Sequence, residues 1–144
     1  MNAQDDASVA ASSVTDVGAA DDADRAAARR TRIGLALALA ALGALYATWY
    51  RNDSHMVAAY AIFALPPLLL SAFVARGGRV ARFLAGVLAL LWCSHGVMIA
   101  WSDPAHRGYA LAETALAILI VFAASADGLR ERARKRRAKS EAAA

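Results

Sequence analysis

The chain has 144 residues, of which 59% are hydrophobic, and a formal net charge of +4. Its mean hydropathy of +0.38 is too high for a soluble domain of this length, which needs more polar residues to cover its surface. The single cysteine, Cys93, excludes an intrachain disulfide and a cysteine-based zinc site. Because the Lys and Arg residues lie at the ends of apolar runs, we expect a lipid bilayer and not nucleic acid as the partner.

Residues 1–32 form a polar tail ahead of the first apolar run. The tail consists mainly of Ala, Ser and Asp without apolar periodicity, which predicts disorder, and only 21–32 favours a short surface helix. Its six Asp residues argue against a transit peptide, and the apolar run begins too far from Met1 for a secretory signal. We therefore predict an uncleaved first span that follows a cytoplasmic tail.

Four apolar runs predict four transmembrane helices. The first run has eighteen residues, which at about 1.5 Å each reach roughly 27 Å, just enough for a hydrocarbon core of about 30 Å. Short connections make neighbouring helices antiparallel. The predicted fold class is all-α, an integral membrane four-helix bundle over residues 33–126 with a basic helical extension at 127–144. The spans are predicted at about 33–50, 56–75, 80–101 and 109–126.

Small residues at helical spacing mark the first span. Because small side chains let helices approach closely, their face favours close packing or self-association. The residues are Ala36, Ala40, Ala44 and Ala47.

Two prolines, Pro66 and Pro67, lie in the middle of the second run. Neither has a backbone N–H, so the carbonyls of Ile62 and Phe63 lose their usual partners and the helix should kink there. Two interpretations stay open. The kink is either fixed and shielded by neighbouring helices, which we favour, or a hinge for transport.

The charge pattern predicts the orientation. Fourteen of the sixteen Lys and Arg residues flank the ends that a four-span bundle places on one side, whereas Arg51 and Arg107 lie on the other. Since cytoplasmic segments carry the excess of Lys and Arg, we expect both termini in the cytoplasm of a bacterium and the bundle in its inner membrane. The outer boundary should carry an aromatic belt of Trp49, Tyr50, Trp101 and Tyr109. The fourteen are Arg25, Arg29, Arg30 and Arg32, then Arg76, Arg79 and Arg82, then Arg130, Arg132, Arg134, Lys135, Arg136, Arg137 and Lys139.

The last seven of these cations form a basic block between Arg130 and Lys139. On a helix near the headgroups, each would attract anionic lipid by about 1 kcal/mol at the cytoplasmic face. Orientation of the chain is the interpretation we favour. A docking site for another protein is the alternative.

Two ionisable residues lie inside apolar runs at similar depth. His95 is six residues from Trp101, about 9 Å along the helix, and Glu113 is four residues from Tyr109, about 6 Å. An ionisable group costs roughly 3 kcal/mol at the centre of a bilayer and less near its edge, so we expect His95 and Glu113 to share a hydrogen bond inside the bundle. The pair either fixes the register of the third and fourth spans, which we favour, or accepts protons or a polar ligand at the outer side.

Other polar residues form weaker patterns. The three histidines, His55, His95 and His106, fall toward the outer end with Asp53 and Asp103, but no HxxxH or HExxH spacing indicates a metal. Ser94 and His95 are adjacent on a helix and therefore point about 100° apart, which disfavours a nucleophile and base. We expect no catalytic residue, metal or cofactor, and no enzyme.

The stretch from Pro66 to Arg130 resembles the proteobacterial membrane proteins grouped as domain of unknown function 2069. The most specific elements are His95-Gly96-Val97-Met98 and the run that ends at Glu113. The other shared elements are Pro-Leu-Leu-Leu from Pro67, the Arg-Gly-Gly-Arg turn from Arg76, Ala100-Trp101, Asp103-Pro104 and Arg107. The resemblance implies a small inner-membrane protein and carries no activity with it.

The function we predict is that of a structural or accessory membrane component, self-associating or part of a larger membrane complex. The alternative is a small transporter or proton-coupled carrier that uses His95 and Glu113. Small multidrug exporters also have four spans, but their membrane-embedded Glu lies on the first helix, where this chain has Ala, Leu and Gly. An enzyme acting on lipid or quinone ranks third.

Overall fold

A computed structural model describes residues 3–51 and 56–141 of the chain. The described residues are helical apart from short turns and contain no strand, which confirms the predicted all-α class. The chain divides into two compact units, Met1–Arg30 and Thr31–Ala144. The helices are α1 (Ala3–Trp49), α2 (Met56–Ala59), a π-helical segment (Tyr60–Ala64), α3 (Leu65–Ala75), α4 (Arg79–Ser102) and α5 (Arg107–Glu141).

The first unit differs from the expected disorder, because α1 begins at Ala3. Ten of residues 3–30 are alanine, which has the highest helix propensity of all residues. An exposed ion pair three residues apart, Asp22 with Arg25 at 2.9 Å, adds a small helix-stabilising contribution. The high Ala content of this polar stretch therefore accounts for a helix where the lack of apolar periodicity had indicated disorder.

Four stretches are long and apolar enough to cross a membrane, as predicted: Asp22–Trp49, Val57–Ala75, Arg79–Ser102 and Arg107–Ala126. Many of their large apolar side chains point outward, with Val57 at 76%, Phe83 at 71% and Phe122 at 71% exposure. An apolar surface of this kind suits lipid rather than water. The fourth stretch lies on the same uninterrupted helix as the basic block, because α5 continues to Glu141.

The prolines of the second stretch lie near the start of α3, but the chain is already helical ahead of them, so each missing N–H removes a donor to a carbonyl of the preceding turn. The disturbance lies just before them, in the π-helical segment, where the Leu65 N–H donates to the Tyr60 carbonyl five residues back. Helices bend at such segments as well as at prolines. The kink at Pro66 and Pro67 stays a prediction, and the structure adds a change of helix type one turn ahead of it.

Within the second unit, α1 packs antiparallel to the second stretch. The Tyr60 hydroxyl donates to the Ala47 carbonyl at 3.0 Å, and the Ser71 hydroxyl donates to the Ala36 carbonyl at 2.8 Å. A side chain on Gly43 would meet Leu68, since its Cβ would lie 2.6 Å from Leu68 Cγ. Of the predicted small-residue face, Ala36 is buried, Ala40 and Ala47 are half-buried, and Ala44 is exposed.

Helices α4 and α5 approach closely at small residues. Residues three to four positions apart share a face of a helix, and the buried residues of α4 follow this spacing. The approach is closest at Gly96, where a Cβ would lie 2.5 Å from Thr114 Oγ1 and 2.8 Å from the Ala110 carbonyl. The buried residues of α4 are Ala81, Ala85, Ala89, Trp92 and Gly96, and those of α5 include Ala110, Glu113, Ala117 and Ile120.

Candidate functional site

The structure brings His95 of α4 and Glu113 of α5 into contact. The imidazole Nδ1 lies 3.0 Å from Glu113 Oε1 and 3.1 Å from Oε2. The two side chains differ in exposure, since that of Glu113 is 0% exposed and that of His95 is 19% exposed. Gly96 follows His95 on the buried face of α4, so the close helix approach at Gly96 also sets the depth at which His95 meets α5.

A third residue completes this cluster, because the Tyr46 hydroxyl of α1 donates to Glu113 Oε1 at 2.5 Å. Tyr46 is also 0% exposed. We call Tyr46, His95 and Glu113 the polar triad. When the Glu113 carboxyl is ionised it only accepts hydrogen bonds, and the Nδ1 that faces both of its oxygens then carries the proton while Nε2 is the acceptor of the ring.

Tyr46 was absent from the sequence prediction. Tyr46 is aromatic like Trp49 and Tyr50, which follow it, so the sequence pattern gives it no role different from theirs. Its position along the helix, deeper in the bundle than Trp49 and Tyr50, is the signal that distinguishes it from them. Tyr46 lies four residues before Tyr50, about 6 Å along the helix, the same distance that separates Glu113 from Tyr109.

Four aromatic side chains lie beside the polar triad. The Phe63 ring is 5.1 Å from His95 and 5.5 Å from Tyr46 between ring centres. Trp49 stacks on Tyr50 at 5.4 Å and on Tyr109 at 5.5 Å, and it lies 6.3 Å from His95. We call Trp49, Tyr50, Phe63 and Tyr109 the aromatic cover. Offset aromatic contacts in this range stabilise a packed arrangement beyond the area they bury.

Three of the four residues predicted as an interfacial belt thus belong to the cover: Trp49, Tyr50 and Tyr109. The fourth, Trp101, is 89% exposed on α4. Phe63 was not predicted to take part. It lies on the π-helical segment, a change of helix type that neither its spacing nor its hydropathy indicated.

A second pair of the same chemistry lies in the turn between α4 and α5. His106 Nδ1 is 2.7 Å from Asp103 Oδ2, and the Ala105 N–H donates to Asp103 Oδ1 at 3.0 Å. Both side chains are exposed, His106 to 49% and Asp103 to 41%. The hydrogen bond from His106 lowers the pKa of the Asp103 carboxyl, and the Ala105 N–H acts in the same direction. The His106 ring stacks on Trp49 at 5.9 Å.

Among the residues that the structure describes, no three His, Cys, Asp or Glu side chains come together as a group that could hold a metal. His95 and His106 are separated by Trp49, which contacts both rings. The predicted candidates Asp53 and His55 lie outside the described residues.

Of the predicted orientation cations, Arg32, Arg76 and Arg79 lie at the end of the second unit opposite to the aromatic cover. Arg32 Nη1 lies 3.2 Å from where a Cβ would stand on Gly77, in the turn between α3 and α4, and Arg76 and Arg79 flank that turn as exposed residues. In the basic block, Arg136 and Lys139 are exposed. The side chains of Arg130, Arg132, Arg134, Lys135 and Arg137 lie outside the described part of the structure.

A family model described as Predicted membrane protein (DUF2069) matches residues 31–128, which confirms the resemblance predicted from the sequence. The match covers more than half of the chain and includes the polar triad, the aromatic cover and the Asp103–His106 turn. Comparison with curated proteins and with solved structures found no match.

Proposed function

The chain belongs to the DUF2069 family of predicted membrane proteins, and from that premise we propose that it is a multi-pass inner-membrane protein with a structural or accessory role. In this role the bundle presents a fixed lipid-facing surface, either to further copies of itself or to a larger membrane complex. The basic block adds attraction to anionic lipid headgroups at the cytoplasmic face.

Glu113 is the observation that carries this proposal. It lies on α5, is 0% exposed, and accepts hydrogen bonds from Tyr46 of α1 and His95 of α4. A carboxylate away from water is costly unless its oxygens are hydrogen-bonded. An arrangement of α1, α4 and α5 that lost either donor would be less stable, so the polar triad favours one relative position of these three helices.

The separation of charge and aromatic residues supports the proposed orientation. The aromatic cover and the Asp103–His106 turn lie at one end of the second unit. Arg32 and the turn at Gly77 lie at the other. Since cations of short loops stay on the cytoplasmic side, the polar triad belongs to the outer half of the bundle and both termini to the cytoplasm.

The proposal predicts that Glu113→Ala is strongly destabilising. The change leaves the Tyr46 hydroxyl and the His95 N–H buried without an acceptor, and the free energy of unfolding should fall by about 3 kcal/mol. Denaturant unfolding of the detergent-solubilised protein, followed by tryptophan fluorescence, measures this change. Asp103→Ala is the matched control, because it removes a His-bound carboxylate that is exposed, and it should lower the unfolding midpoint much less than Glu113→Ala does. Equal stability of Glu113→Ala and wild type would contradict a structural role for the triad.

A transporter or proton-coupled carrier is the second candidate, and the 19% exposure of the His95 side chain is what favours it. A carrier needs a water-filled path to Glu113, through which a hydrophilic carbodiimide would label that carboxyl in intact membranes. A structural role predicts that Glu113 is protected from the reagent while the exposed Asp103 is labelled. Labelling of both residues would favour the carrier.

A further inference from the structure

We infer that the polar triad is a reversible proton-binding site, in which Glu113 takes up one proton from the medium and His95 passes it in. The inference goes beyond the structural role proposed above and does not depend on it. It assigns a ligand, the proton, to a site whose contacts the structure shows only as packing.

Of the three residues of the triad, only His95 retains exposed side-chain surface, and we assign it as the point at which a proton enters. Glu113 and Tyr46 are both 0% exposed, whereas the His95 side chain retains 19% exposure. The Phe63 and Trp49 rings lie against the imidazole at 5.1 and 6.3 Å. A proton that reaches Glu113 through the triad therefore passes through the imidazole.

The hydrogen bonds provide the route. In the ionised state the Tyr46 hydroxyl and His95 Nδ1–H both donate to Glu113, and His95 Nε2 is an acceptor. A hydronium ion gives its proton to Nε2 and leaves as water, which makes the ring an imidazolium. The ring then releases its Nδ1 proton to a Glu113 oxygen. The products are a neutral carboxylic acid and a neutral imidazole protonated on Nε2, so one proton has entered and one negative charge has been neutralised.

The surroundings of Glu113 allow this neutralisation. Its two donors carry no permanent positive charge, since one is a phenol and the other is an imidazole, which is neutral when only one ring nitrogen carries a proton. An arginine or lysine in their place would keep the carboxylate ionised. Among the described residues, the ionisable groups around Glu113 are Tyr46 and His95 of the triad itself, Tyr50 stacked on Tyr46, Tyr109 and His106 stacked on Trp49, and Asp103 hydrogen-bonded to His106. The second stretch contributes the Phe63 ring, which is not ionisable.

Infrared difference spectroscopy of the full chain in lipid vesicles tests the inference. As the medium is taken from mildly alkaline to mildly acid, the wild type should gain the C=O stretching band of a buried protonated carboxyl. Glu113→Gln preserves the shape of the side chain and should remove that band. Asp103→Asn, the matched control at the exposed pair, should keep it. In the event that Glu113→Gln fails to fold, Glu113→Asp assigns the band by shifting its frequency.

The route through the imidazole is tested by the rate at which the Glu113 carboxyl proton exchanges with deuterium. After transfer to heavy water, the carboxyl band shifts as its proton is replaced by a deuteron. His95→Gln should slow that shift about a hundredfold, which is the loss expected when a positioned proton-transfer group is removed. His106→Gln, the control, should leave the rate unchanged. A wild-type spectrum without the carboxyl band at any pH, or an exchange rate unchanged in His95→Gln, would overturn the inference.

Discussion

The described part of the chain contains the same chemical pair twice, once buried and once exposed. In both pairs an imidazole Nδ1 faces a carboxylate, at 3.0 Å for His95 with Glu113 and at 2.7 Å for His106 with Asp103. The exposed pair has the shorter distance, yet only the buried carboxylate is hydrogen-bonded by two other helices. Water replaces a broken contact in the turn and not in the bundle. The comparison teaches that burial, and not the length of the hydrogen bond, decides how much of the fold depends on such a pair.

After Glu113→Ala, the largest effect on this comparison is expected from Gly96→Ala. The new Cβ would lie 2.5 Å from Thr114 Oγ1 and 2.8 Å from the Ala110 carbonyl. The second of these is a backbone atom that cannot rotate away. Forcing α4 and α5 apart should cost about 2 kcal/mol of unfolding free energy and lengthen the hydrogen bond between His95 and Glu113.

Gly108→Ala is the control for this change. Gly108 lies at the start of α5, near the exposed pair, and has no atom within 4 Å of the position of a Cβ. Both variants are compared with the wild type by denaturant unfolding in detergent. If Gly96→Ala were no less stable than Gly108→Ala, the close approach of the two helices would not be what maintains the buried pair.

A smaller effect is expected from Tyr46→Phe, which removes one of the donors to Glu113 and keeps the ring. The loss should be about 1 kcal/mol, because His95 still satisfies the carboxylate. Tyr60→Phe removes a half-buried hydroxyl that donates to the Ala47 carbonyl at 3.0 Å, and should cost less than Tyr46→Phe. The same unfolding measurement ranks the two. A reversed order would mean that the Tyr46 hydroxyl is no more important to the fold than one bonded to a backbone carbonyl.

The smallest effect concerns the exposed pair and its response to acid. Since His106 lowers the pKa of Asp103 in the folded protein, the pair contributes stability at pH values above the ordinary carboxyl pKa. That contribution is lost as the pH falls through the lowered value. In His106→Gln the pKa of Asp103 should move up toward its ordinary value, which carbon-13 NMR of the labelled carboxyl measures. If the titration midpoint of the Asp103 carboxyl were the same in His106→Gln as in the wild type, the imidazole would not act on Asp103.

Much of the fold follows from hydropathy, because each apolar run is as long as a bilayer is thick. The partnership of His95 and Glu113 was accessible by counting helical rise from the aromatic ends. Tyr46 was harder to identify. In a helix that is apolar on the lipid side as well as on the bundle side, hydropathy does not reveal which face points inward. The π-helical segment that carries Phe63 lies just ahead of Pro66 and Pro67. The sequence predicts a kink at the prolines and does not predict a change of helix type before them.

At residues 3–30, hydropathy indicates less helix than the structure contains. The sequence of this segment has no apolar stripe to bury, so periodicity indicated no helix, whereas its alanine content favours one. Helix propensity and apolar periodicity therefore give different predictions of secondary structure when a segment has no hydrophobic core to pack against. For the second unit, helix propensity and the pattern of apolar residues both predict helices.

The π-helical segment between Tyr60 and Ala64 also bears on how the chain tolerates changes in length. A π turn holds one residue more than an α turn, so loss of a residue there can be absorbed by a return to the α form, with both flanking faces still in phase. A deletion within α4 cannot be absorbed in this way, because α4 is an α-helix from Arg79 to Ser102. It would rotate everything beyond it by about 100° and carry His95 out of line with Glu113. A one-residue deletion should therefore be tolerated within Tyr60–Ala64 and not within α4 ahead of His95.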